Sequence, residues 1–195
     1  MAFAHHSLIR IRFMLKKKFI SSLKKDYDRQ IAERRQIISR SNIILHDSKR
    51  VIFSLHRGDV EKANESLDEI TKNLIELQKK FGVKRSNEEG SYRAAVEEYV
   101  EARLFRDISA GTKADFFTDV EIRYDSYLGG LCDTTGELVR RATNLAASGD
   151  RTAVEKIKKM ISDIMQELVE FDMTGYMRTK YDQARGKLRK REQMA

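Results

Sequence analysis

The sequence has no proline, only ten glycines and a single cysteine in 195 residues. Without proline nothing obliges a helix to break, so long helices are permitted everywhere. One cysteine, Cys132, excludes an intrachain disulfide and any cysteine-based metal cluster. It reads as a small buried residue rather than a nucleophile, because no His or second Cys accompanies it. No apolar run approaches the length of a membrane span. The opening MAFAHHSLIRIRFML is interrupted by Arg10 and Arg12 and lacks the clean apolar segment of a signal peptide. The expectation is an intracellular, cytoplasmic protein. Alternating apolar and polar residues are absent too, so no strands are expected.

Several catalytic signatures are also missing. The residues three before His5, His6, His46 and His56 are Ala2, Phe3, Ile43 and Phe53. That excludes the Glu-x-x-His pairs of a ferritin-like di-iron bundle. There is no His-Glu-x-x-His zinc motif, no P-loop and no Gly-x-Gly-x-x-Gly. The four histidines therefore read as surface or packing residues.

What the chain does have is charge, 35% of residues, alongside 41% apolar residues. That balance fits amphipathic helices and fits neither a sandwich nor a disordered chain. The charge is unevenly spread. Residues 1–57 hold 14 Lys/Arg against 4 Asp/Glu, and residues 177–195 hold 7 against 2. The middle holds 17 against 24, and the whole chain nets +8. Basic ends around an acidic middle suggest a polyanion held by one part and chemistry or metal in another. A solvated helical surface accounts for any single Lys or Arg.

Periodicity sets out the helices. Leu8, Ile11, Leu15, Phe19, Leu23, Tyr27, Ile31, Ile38, Leu45, Ile52 and Leu55 recur near every 3.6 residues and predict one long helix stopped at Gly58. Asp59 is expected to N-cap a second helix ending at Gly82. Residues 83–90 read as a polar connector. Further helices are expected over 91–109, 113–122, 125–148, 151–171 and 174–192. The fold class is all-α, a single-domain bundle of seven helices over residues 1–195, with 1–22 as a basic N-terminal helical extension.

Two acidic constellations stand out. In VEEYVEA (96–102), Glu98 and Glu101 lie three apart on one helix face, with Glu97 offset around the helix. In LCDTTGELVRR (131–141), Asp133 and Glu137 lie four apart, with Gly136 between them leaving room for a close approach. Like charges one turn apart repel, so each pair needs a reason. Two carboxylate pairs on facing helices suit a hard divalent cation such as Mg²⁺ or Mn²⁺, which takes oxygen ligands. Ordinary ion pairs with Arg93, Arg103, Arg140 or Arg141 suit the same spacing and are the commoner arrangement on helices.

Four ordered segments go further: ERRQIISRSNIILHDSKRVIFSLHR (33–57), AAVEEYVEARLF (94–105), YLGGLCDTTGELVRRATNLAASGD (127–150) and YMRTKYDQARGKLRKRE (176–192). Together they resemble the translin superfamily, most closely its translin-associated factor X (Trax) branch, from about residue 23 onward. The resemblance implies a seven-helix fold that assembles into hollow, roughly octameric shells and binds single-stranded RNA and DNA. In the Trax branch it implies a Mg²⁺-dependent endoribonuclease, with the metal on Glu98, Glu101 and Asp133 and a further acid at Glu137. Translin itself replaces the first pair and mainly binds. This chain keeps the acids, which implies a catalytic member. Its basic ends suggest a self-sufficient homo-oligomer of the kind a prokaryotic member would form. The expected nucleic-acid contacts are Lys16, Lys17, Lys18, Lys24, Lys25, Arg34, Arg35, Tyr92 and Arg93, the last two where translin has a basic binding segment. A non-catalytic RNA- and DNA-binding shell, and a protein-binding scaffold, are the alternative readings.

Overall fold

The computed structural model describes residues 15–192. In chain order the helices are α1 (Lys17–Arg57), α2 (Val60–Phe81), α3 (Val83–Asn87), α4 (Gly90–Ser109), α5 (Tyr124–Ala147), α6 (Arg151–Val169) and α7 (Gly175–Glu192). No strand occurs among the described residues. The expected helical stretch at 8–14 lies outside them.

The core forms where apolar residues recur at helical spacing. On α1 the buried positions are Ile37, Ser41, Ile44, Ser48, Val51, Ile52, Ser54 and Leu55. They face Leu67, Ile70, Leu74 and Leu77 of α2 and Tyr99, Val100, Leu104 and Phe105 of α4 in one continuous cluster. Leu138, Ala142, Ile157 and Ile161 extend that cluster through α5 and α6. α7 rests on α5 through a smaller cluster of Cys132, Leu168 and Ala184. The first half of α1 does not join in. Residues 15–30 are all exposed, and Leu15, Phe19, Leu23 and Tyr27, expected in the apolar stripe, have no covering within one chain.

Gly58 ends α1 as expected, at φ 84, where its N–H closes on the Ser54 and Leu55 carbonyls. Asp59 holds the N-cap position of α2 but makes no side-chain cap; its carboxylate lies 3.5 Å from Arg57 Nε instead. Asp150 does cap α6, accepting from the Ala153 N–H at 3.0 Å.

Two connections depart from expectation, the first settled mostly by local side-chain bonds and the second by side chains distant in sequence. Residues 83–87 are helical, because Ser86 and Asn87 bond back to the Gly82 and Val83 carbonyls and Arg85 pairs with Glu33 and Glu89. Residues 112–123 are irregular rather than helical. Gln78 of α2 takes both the N–H and the carbonyl of Glu121, and Arg103 of α4 holds Asp119 at 2.9 Å beneath the Phe117 ring. Backbone groups already satisfied across the fold have no need of a helical turn. Among the described residues no helix is long and apolar enough to cross a membrane.

Candidate metal centre

α4 and α5 bring the acids together because two glycines let the helices touch. A Cβ on Gly130 would lie 2.7 Å from Val100 Cβ and 2.8 Å from the Glu97 carbonyl oxygen. A Cβ on Gly129 would enter the Glu97 side chain. The YLGG stretch is thus the seam that seats α5 on the EYVE segment. Thr134, fully buried in that seam, donates to the Gly130 carbonyl at 2.8 Å.

Across the seam Glu98, Glu101, Asp133 and Glu137 lie within electrostatic reach of one another. Glu101 is the innermost, 8% exposed. Burial first, then Glu98, Asp133 and Glu137, push its carboxyl up to about 9. Glu98 is also raised, by burial, with Lys49 opposing and Asp133 adding to the effect. Glu98 faces Lys49 of α1 at 3.9 Å. Glu137 accepts a 2.6 Å hydrogen bond from His56 Nε2, and Arg140 stands 3.5 Å from the same oxygen. Asp133 accepts from Lys180 of α7. Of these four acids, Glu101 alone has no cation at ion-pair distance among the described residues.

Three residues outside the expected site take part. Glu97, read as a bystander, is only 13% exposed; it pairs with Lys180 and accepts from Tyr176 OH at 2.8 Å. Lys180 therefore bridges Glu97 of α4 and Asp133 of α5. Burial alone would lower its ammonium, but the bonds to Asp133 and Glu97 outweigh that and hold it above its ordinary value. His56 is the packing residue of the two readings, its ring on Phe105 with centroids 4.9 Å apart, and it also bonds Glu137, which was not expected. The signal was present, since Lys49 and His56 are seven apart and share one face of α1.

The expected nucleic-acid residues divide. Lys17, Lys18, Lys24 and Lys25 are exposed on the uncovered start of α1, with Lys16 just before it, and Arg35 is exposed farther along the helix. At 1.5 Å per residue, Lys24 lies about 37 Å along the helix from Lys49, so within one chain these lysines do not join the acids. Arg34 pairs with Glu89 at 3.3 Å. Arg93 is exposed and donates to the Asn87 carbonyl. Tyr92 is a correction: it is 1% exposed, its hydroxyl accepts from Gln78 at 2.9 Å, and no base can stack on it. Of the arginines considered as ion-pair partners of the acids, Arg140 pairs with Glu137, whereas Arg103 goes to Asp119. Cys132 is buried, and burial followed by Asp133 pushes its thiol up to about 11, which suits packing and not attack.

The donor chemistry fits a hard divalent cation. All four groups are carboxylates, their charges are mutually unfavourable, and the most buried of them has no counter-ion of its own. Glu98, Glu101 and Asp133 would hold it. Among the described residues, however, no three His, Cys, Asp or Glu side chains are gathered into a ready-made metal cage.

Glu101 also sets a pH dependence for the metal-free protein. An unfolded chain loses this proton near the ordinary value of 4.5, and the folded one near 9. Between those values the folded state binds more protons, so its stability falls as pH rises through the window. Glu101→Gln removes that fall. In EDTA at pH 8 the variant is expected to melt above wild type by at least about 2–4 °C, the equivalent of 1 kcal/mol at this size. Equal melting at pH 8, or a gap that does not close toward pH 5, contradicts the burial argument.

Comparison with known proteins agrees with the fold. The model of the Translin family matches residues 32–195. An uncharacterized protein of Methanocaldococcus jannaschii is 27% identical over 168 residues, 80% of this chain and 72% of its own length. The translin-associated protein X homolog of Schizosaccharomyces pombe is 27% identical over 158 residues, 73% of this chain. The match spans 65% of that relative's length. Among solved structures, AfC3PO in a duplex RNA complex superposes with a TM-score of 0.75 at 26% identity, covering 89% of this chain and 93% of that one. The crystal structure of AfC3PO superposes at 0.78 with 23% identity and the same coverage, a likeness of fold.

Proposed function

The chain belongs to the translin family, and from that premise we propose that it is a Mg²⁺- or Mn²⁺-dependent endoribonuclease acting on RNA. The observation that carries this reading is the convergence of Glu98, Glu101, Asp133 and Glu137 from two helices, with Glu101 buried and lacking a counter-ion. Glu98, Glu101 and Asp133 would hold the cation. When bound, such a cation acidifies a water and offsets charge on the phosphate.

The protein's own groups do the rest. His56 Nε2 and Arg140 hold one oxygen of the Glu137 carboxylate, and in this reading its other oxygen would orient the attacking water or take its proton. Lys49 and Arg140 stand at the rim, exposed and cationic, and meet the phosphodiester. Arg140 also lies over the exposed Phe53 ring at 5.3 Å, a pairing that offers a base a stacking surface beside the phosphate site. Contacts of this kind follow the backbone, so little sequence preference is expected. Single-stranded RNA is the first substrate to test; the duplex RNA bound by AfC3PO makes duplex the second.

The same reading includes a homo-oligomer, an octamer by the family resemblance. Phe19, Leu23 and Tyr27, exposed at four-residue spacing on α1, with the exposed Leu15 just before it, supply an apolar stripe for it. A monomeric mass by light scattering contradicts this part.

A second reading, RNA binding without cleavage, is favoured by one observation: Asp133 is already occupied by Lys180. One assay separates the two. Labelled RNA is expected to be retained by the protein in EDTA, less so as salt rises, and to be cut when Mg²⁺ is added. Salt-sensitive retention with no cutting in Mg²⁺ or Mn²⁺ selects the binding-only reading. No retention at moderate salt rules out both.

A further inference from the structure

α7 reaches the acidic cluster with Lys180, which bonds Asp133, and lays Lys187 against Gly136 between Asp133 and Glu137. Its apolar hold on the body is modest: Ala184 and Tyr181 join the small cluster with Cys132 and Leu168, and Leu188 packs against the edge of the main core. A polar clamp supplements it. Tyr176 and Lys180, one turn apart on α7, both bond Glu97, and Lys180 also bonds Asp133. The Lys180 side chain is only 16% exposed, so its charge is committed to those two carboxylates and not shared with solvent.

We propose that Lys180 is a built-in cation that competes with the divalent metal for Asp133, so that α7 sets the metal concentration at which the site loads. The proposal rests on the metal-site reading of Glu98, Glu101 and Asp133. Its argument is one of charge and place. Asp133 Oδ2 accepts from the ammonium, and any cation taking Asp133 meets that ammonium. Glu97 gives the displaced lysine somewhere to remain. It is a carboxylate of the same clamp, on α4, that no ligand of the proposed site requires. Loading therefore exchanges a shared lysine for one held by Glu97 and Tyr176 alone. Without Glu97 the lysine would be left wholly to Asp133. Lys180 is accordingly a positioning residue rather than a catalytic one.

The test is Mn²⁺ binding to the full-length, metal-free protein, followed by calorimetry and by the loss of the free-Mn²⁺ electron-spin signal, with no RNA present. Lys180→Gln is expected to bind Mn²⁺ at least about fivefold tighter, the lower end of ordinary coupling between two sites. Lys180→Arg keeps the charge and is expected to stay near wild type. Glu97→Gln is expected to bind more weakly, and it serves as the deciding variant if Lys180→Gln does not fold. A merely structural clamp predicts that Lys180→Gln binds Mn²⁺ no better, or worse, than wild type. That result overturns the proposal while leaving the site reading intact, provided Glu101→Gln still weakens binding. If Lys180→Gln fails to fold, unchanged Mn²⁺ affinity in Glu97→Gln overturns it. Absence of Mn²⁺ binding in wild type and Lys180→Gln alike overturns the site reading itself, and this inference with it.

Discussion

Gly130→Ala is expected to destabilise the protein by about 1–3 kcal/mol, the usual cost of overpacking a filled interior, and to lower the urea midpoint accordingly. Two effects oppose each other. Alanine is the better helix residue, worth about 1 kcal/mol in an open helix. At position 130, though, the added methyl would meet Val100 Cβ at 2.7 Å and the Glu97 carbonyl oxygen at 2.8 Å. That oxygen belongs to the α4 backbone and cannot rotate away, so α5 must move off α4. Gly186 provides the internal control. It also lies within a helix, and a methyl there meets nothing within 4 Å. Gly186→Ala is therefore expected to stabilise. The two substitutions should carry opposite signs, and a Gly130→Ala protein as stable as wild type contradicts the close-approach account. Because the same seam joins the acid pairs, Gly130→Ala should also reduce RNA cleavage even at temperatures where it remains folded.

Much of this architecture was legible in the sequence, for physical reasons that also mark where legibility stopped. The 3.6-residue recurrence of apolar residues placed the long helices, because burial of one face is what holds them. Spacing put Glu98 with Glu101 and Asp133 with Glu137, because one turn of helix is local geometry. The likeness of four ordered segments identified the family. Residues 112–123 escaped because the deciding contacts, Gln78 on Glu121 and Arg103 on Asp119, come from other helices. Glu97 was set aside for a sound local reason, its offset from Glu98 around α4. Its role depends on α7 arriving from that side with Tyr176 and Lys180. Lys180 was hidden among the basic residues of α7, where charge counts give the sign of a segment and not the one residue turned inward. Tyr92 was placed by likeness to a binding segment, and the core claimed it.

The largest effect on activity is expected at Glu101. Glutamine is nearly isosteric and neutral, as the Glu101 carboxyl itself is below about 9 in the metal-free protein, so the fold and the basic surface are retained. What glutamine cannot supply is a charged ligand oxygen. Loss of a partner around a metal ligand costs about 10–100-fold, and loss of a ligand at least as much. Cleavage should fall by that factor or more, with RNA retention in EDTA unchanged. The measurement is single-turnover cleavage of labelled RNA by saturating protein across a Mg²⁺ titration, wild type beside Glu101→Gln. The account predicts a wild-type rate that saturates with Mg²⁺ and vanishes in EDTA, and a glutamine variant at least about 10-fold slower at every Mg²⁺ concentration. A variant that cuts as fast as wild type, or a wild-type rate indifferent to EDTA, contradicts it.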